Sequence, residues 1–167
     1  APWIGGGRAD ASGNPGYYVL GYISNLRIVK GLAVYTGTFT TPTAPLAATQ
    51  SSGTNIAAIT QASYSNYFDG TGDYLSVPNN VALQFLTSDY TIEYWVYTTS
   101  FSVLSVHLDF RTSNGASGGA IQIYSTTGGI MTVYGGSSTA TLLVTAGAAI
   151  SLSTWTHIDR KSTRLNS

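Results

Sequence analysis

The chain has 167 residues, seven of them basic and seven acidic, so its formal net charge at neutral pH is zero. Hydrophobic residues make up 43% and charged residues only 8%. That is enough apolar material for one ordinary core, with no basic patch to hold phosphate backbones, which argues against nucleic acid as a partner. There is no cysteine, so disulfides and thiolate metal sites are excluded. No apolar run reaches the ~18 residues of a membrane span. With so few charges, Ser, Thr, Gly and Asn must keep the surface hydrated, as they often do in extracellular β proteins.

In chain order, Ala1-Pro2-Trp3-Ile4 carries neither an initiating Met nor a signal peptide and reads as the middle of a longer protein. Gly5-Gly6-Gly7 is not a phosphate loop, because no helix or Lys follows it. Residues 17–29 are rich in β-branched and aromatic side chains and predict the first strand. Simple alternation there sets Tyr22, Ser24, Leu26 and Ile28 against Ile23, Asn25, Arg27 and Val29. Pro42 and Pro45 then stiffen the approach to 49–63, a small, polar stretch with the composition of a linker. Further strands are predicted at 64–68, 73–77, 90–97, 103–110, 120–124, 130–134, 140–144 and 154–158. Gly, Asn, Ser or Pro separate most of them, as at Pro78-Asn79-Asn80. In 90–97, Tyr90, Ile92, Tyr94 and Val96 share one face, and Thr91, Glu93, Trp95 and Tyr97 the other. No stretch shows the helical apolar period. The pattern predicts an all-β antiparallel sandwich.

Two segments carry a resemblance. Phe68-Asp69-Gly70-Thr71-Gly72-Asp73-Tyr74-Leu75-Ser76-Val77-Pro78, followed by Tyr90-Thr91-Ile92-Glu93-Tyr94-Trp95-Val96-Tyr97 and Trp155-Thr156-His157-Ile158, resembles the opening half of laminin G-like domains of the concanavalin A-like lectin/glucanase superfamily. Gly21-Tyr22-Ile23-Ser24-Asn25-Leu26-Arg27-Ile28-Val29-Lys30-Gly31, continuing to Tyr35, Phe39 and Pro42, is similar to the closing strand of the same kind of domain. The resemblance implies a jelly roll of two antiparallel sheets. A closing segment precedes an opening one, so 1–48 reads as the end of one repeat, 49–63 as a linker and 64–158 as the start of the next. The two pieces are expected to pack as one circularly permuted, incomplete sandwich, with 22–29 pairing antiparallel to a strand in 64–77 and a ragged edge after Ile158. Neighbouring repeats of the parent chain are the implied structural partners.

The superfamily includes glucanases, so catalysis has to be weighed. A retaining glycosidase needs two carboxylates ~5–5.5 Å apart. Glu93 is the only glutamate in the chain, and Thr91, Trp95 and Tyr97 share its face. Catalysis is therefore not expected, and no carboxylate pair should line a groove. A charge in mid-strand among aromatics needs a partner, and Arg27 is the expected one. Asp69 and Asp73 flank Gly70 and Gly72. Turn geometry alone explains such a pattern, and it can also supply oxygen ligands to Ca²⁺; no other cofactor is implied. His107 and His157 read as ordinary strand positions, and Asp109 with Arg111 as the base of the polar loop 112–119.

The resemblance places such modules on phage and virus tails and on secreted or cell-surface adhesins. The expected role is therefore a non-catalytic module, extracellular or virion-associated, supporting adhesion or glycan recognition, with a glycan or cell-surface receptor as partner. The rivals are a purely structural spacer and an accessory carbohydrate-binding module of a secreted hydrolase. The last nine residues, Asp159 to Ser167, hold three of the seven Lys/Arg residues and look like a translated sequencing adapter. They are expected to be non-native, to join no sheet and to pack against nothing.

Overall fold

The computed structural model describes residues 2–7, 16–31, 34, 38, 40, 41, 65–78, 83, 89–101, 104–111, 120–136 and 141–162. The predicted linker 49–63, Pro42, Pro45, Asn79-Asn80, the loop 112–119 and residues 163–167 lie outside them. Ten strands are assigned among the described residues: β1 (Trp3–Ile4), β2 (Leu20–Lys30), β3 (Ser65–Asp69), β4 (Leu75–Ser76), β5 (Tyr90–Thr98), β6 (Ser105–Asp109), β7 (Ala120–Ser125), β8 (Ile130–Gly136), β9 (Thr141–Ala149) and β10 (Trp155–Ser162). They form a six-stranded sheet, β4-β1-β6-β7-β8-β9, and a four-stranded sheet, β10-β5-β2-β3. Every strand pair is antiparallel. Among the described residues no helix is long and apolar enough to cross a membrane.

The core of the jelly-roll sandwich lies between the apolar faces that the two sheets turn towards each other. The four-stranded sheet contributes Ile23, Phe68, Tyr90, Ile92, Tyr94 and Val96 to the core, and the six-stranded sheet contributes Leu108, Ile121, Ile123, Met131 and Val133. Burying an Ile, Leu or Val of this kind stabilises the fold by about 1.5–3 kcal/mol. The expected alternation of 90–97 holds, with Tyr90, Ile92, Tyr94 and Val96 all inward. A polar chain crosses this core: the Tyr94 hydroxyl is 3.1 Å from His107 Nδ1, and His107 Nε2 is 3.2 Å from Ser125 Oγ. These bonds tie β5 of one sheet to β6 and β7 of the other. Burial lowers the His107 pKa to about 3 and raises that of the Tyr94 hydroxyl.

Two expectations need correction. The alternation read along 22–29 breaks at a β-bulge. Ser24 pairs with Trp95 but Arg27 pairs with Glu93, so Asn25 and Leu26 together oppose Tyr94. Asn25 takes a left-handed conformation, φ 51°, which Asn tolerates better than β-branched residues. The inserted residue shifts the phase. Ile28 thereby joins Ile23 on the core side, and Arg27 joins Tyr22 on the outer side. The second correction concerns the tail. Asp159, Arg160, Lys161 and Ser162 continue β10 and pair in register with Glu93, Ile92, Thr91 and Tyr90. A ladder is made by main-chain groups, so it forms whatever the side chains are, provided the neighbouring strand runs on.

β2 lies between β3 and β5, and β1 between β4 and β6. The segment 22–29 thus meets 64–77 through the pairs Tyr22↔Tyr67, Ile23↔Asn66 and Ser24↔Ser65. Gly21 makes the close crossing of β2 and β5 possible: its φ is 147°, and a Cβ there would run into the Tyr97 carbonyl oxygen.

Candidate ligand-binding face

The outer face of the four-stranded sheet is organised in rows that cross the strands. One row is entirely aromatic: Trp155 on β10 pairs with Tyr97 on β5, Tyr97 with Tyr22 on β2, and Tyr22 with Tyr67 on β3. Ring centroids are 5.6 Å apart for Tyr97–Trp155, 5.9 Å for Tyr22–Tyr97 and 4.9 Å for Tyr22–Tyr67, with interplanar angles of 56°, 74° and 46°. The two end rings project most: Tyr67 is 54% and Trp155 43% exposed. Tyr22 and Tyr97 between them are half-buried, and none of the four belongs to the core, so the row forms a surface available for stacking. The next row sets His157 against Trp95 and Ser24, with His157 and Trp95 rings 5.2 Å apart.

The third row holds the ion pair. Arg27 Nε donates to Glu93 Oε1 at 2.5 Å, and Nη2 of the same guanidinium also contacts that oxygen. His157 Nε2 lies 3.4 Å from Glu93 Oε2. The Glu93 side chain has no exposure at all. Further along β5 the Val34 amide donates to Thr91 Oγ1 at 2.9 Å.

Asp159 stands directly across from Glu93. The sequence reading did not foresee an acid at this point. Burial foremost, with Glu93 as a further cause, raises the Asp159 pKa, while Lys161, His157 and Arg160 oppose the shift. The two carboxylates do not make a glycosidase pair: one is sealed from solvent and already paired with Arg27, so neither water nor a glycosidic oxygen can reach it.

The acids flanking the two glycines are engaged with the backbone of their own turn. Asp69 Oδ1 accepts from the Thr71 amide at 2.7 Å, and Asp73 Oδ2 accepts from the Asp69 amide at 3.2 Å. Gly70 and Gly72 take φ values of 81° and 85°. Both carboxylates thus support the turn that the two glycines make. Among the described residues no three His, Cys, Asp or Glu side chains gather as a metal cluster. Asp109, buried, receives Arg111 at two oxygens, Nε–Oδ1 at 2.9 Å and Nη2–Oδ2 at 2.6 Å, and its Oδ1 also accepts the Arg111 amide at 3.0 Å. This clamp holds Arg111 against the end of β6.

The aromatic row was invisible to the sequence reading as a set. Tyr97 shares a face with Trp95 by alternation, but only the register of four strands aligns it with Tyr22, Tyr67 and Trp155. The signal that could have found it is the presence of an aromatic residue near the same end of each of these strands.

A family model described as concanavalin A-like lectin/glucanases superfamily, of the laminin G type, matches residues 69–158. The match covers more than half of the chain, and the chain belongs to this family. Neither the curated proteins nor the solved structures gave a match.

Proposed function

We propose that the chain is a non-catalytic glycan-recognition module, serving adhesion on an extracellular or virion surface. The observation that carries this reading is the row Trp155–Tyr97–Tyr22–Tyr67, which offers stacking surface across the whole width of one sheet. Sugar rings present apolar C–H faces, and exposed aromatic rings bind them by stacking while nearby polar groups fix orientation. Seclusion of Glu93 supports binding without hydrolysis.

The parent protein is read as a tandem array cut across a repeat junction. The family match begins at residue 69, yet β1 and β2, upstream of it, fill places beside β6 and β5. A closing strand supplied from the preceding repeat accounts for that arrangement.

The test is a glycan array probed with the full chain, with Tyr22→Ala and Tyr97→Ala variants, and with Tyr124→Ala on the opposite sheet as control. Binding lost in the first two variants and kept in the third supports the reading. A chain that binds no glycan is a spacer instead.

A further inference from the structure

We propose that the aromatic row takes a single neutral glycan chain laid across the strands, with Asp69 accepting hydroxyl hydrogen bonds at the Tyr67 end. This inference rests on the glycan-recognition reading above. Three observations carry it.

The first is direction. The four rings follow strand register, perpendicular to the strands. Neighbouring strands are ~4.8 Å apart, so three steps span roughly 14 Å. That spacing is close to the length one pyranose adds to a linear chain, so successive sugars can meet successive rings.

The second is tilt. The rings are inclined to one another by 46°, 74° and 56°. The flat surface of an insoluble, crystalline polymer would contact a coplanar set of rings. An inclined set suits one chain free in solution, which turns from residue to residue.

The third is charge. Alternation along β3 puts Asp69 on the same face as Tyr67, two residues on, and it is exposed. Its Oδ1 holds the Thr71 amide; among the described residues its Oδ2 has no partner. Ionised, this carboxylate can accept from the hydroxyls of a sugar diol. Asp73 adds a second negative charge in the same turn. Among the described residues, the basic groups nearest the row on this face are His157, in the next row, and Arg27, in the third, and both lie against Glu93. Lys161 stands beyond it, paired with Thr91 at the far end of the sheet. Among the described residues the exposed charge beside the row is therefore negative, which repels sulfated or carboxylated glycans and leaves neutral ones.

The experiment is calorimetry on the full chain with cellobiose, cellohexaose, xylohexaose, mannohexaose, maltohexaose and a heparin hexasaccharide, plus sedimentation with insoluble cellulose. The expected result is binding of at least one neutral hexasaccharide, no binding of the heparin fragment, and no retention on cellulose. Asp69→Asn keeps an oxygen for the Thr71 amide, so the turn survives, and it should weaken that hexasaccharide by roughly tenfold, the loss of one charge-assisted hydrogen bond. Gln122→Ala, on the other sheet, should leave binding unchanged. Tighter binding of the heparin fragment, preference for cellulose, or full affinity in Asp69→Asn overturns this inference while leaving glycan recognition standing. Absence of binding to every probe and to the array overturns both.

Discussion

Arg27 and Glu93 face each other across β2 and β5, and they do so only because Asn25 and Leu26 form a bulge that turns Arg27 to the outer face. Without the extra residue the guanidinium would point into the core. Glu93 would then be a buried, unpaired charge. Such a pair gives little net stability compared with apolar replacements, but breaking it on one side is costly. Arg27→Ala should therefore destabilise the fold by about 3–5 kcal/mol. Arg27→Met combined with Glu93→Leu should recover most of that loss. Urea denaturation of the two variants measures the difference.

His107 predicts a pH dependence of defined sign. Its folded pKa is lowered to about 3 by burial, while an unfolded histidine titrates near 6.5. Between these values the unfolded chain binds a proton that the folded chain refuses, so stability falls as pH drops from about 6.5 towards 3. One such group contributes a slope of at most about 1.4 kcal/mol per pH unit. His107→Gln should flatten the fall, which thermal melts at several pH values would reveal.

Asp159 and Arg160 fit their positions poorly. Arg160 lies in the inner row with Ile92 and Ile28; its Nη1 donates to the Lys161 carbonyl at 2.6 Å, but among the described residues its Nε is buried without a hydrogen bond, as is Asp159 Oδ1. Arg160→Val should raise the melting temperature, since it replaces a desolvated polar group by an apolar one in an apolar row. Asp159 acts in the opposite pH sense to His107. Its raised folded pKa favours the protonated form, so its penalty grows as pH rises through the carboxylate range. Asp159→Asn should remove that penalty, most visibly above pH 5. A melting temperature unchanged or lowered in both variants would show that these residues suit the strand.

The turn at Asp69–Asp73 should be independent of metal. Calcium takes six to eight oxygens, and here two carboxylates already accept backbone amides. Adding millimolar Ca²⁺ or a chelator should leave the melting temperature within about a degree, because a ligand that binds only weakly adds little stability.

Much of the fold was legible because its signals are local. Period-two alternation in Tyr90–Tyr97 and the Gly-rich turn at 70–72 are written in adjacent residues. The ion pair was legible too, since a lone mid-strand glutamate demands a cation. The facing of Arg27 was not, because a bulge leaves no mark in the pattern beyond an Asn. The two-residue β1 was missed because it is too short to show a period. The aromatic row required register between strands far apart in sequence, which alternation alone cannot supply.

Trp155 gives the most direct test of glycan recognition, since it is one of three tryptophans and stands exposed at one end of the row. A sugar stacked on the row desolvates this indole. Titrating the full chain with a bound neutral hexasaccharide should give a saturable shift in tryptophan emission, and Trp155→Phe should abolish it although Trp3 and Trp95 remain. No shift with any glycan, or the same shift in Trp155→Phe, would contradict the assignment of this face.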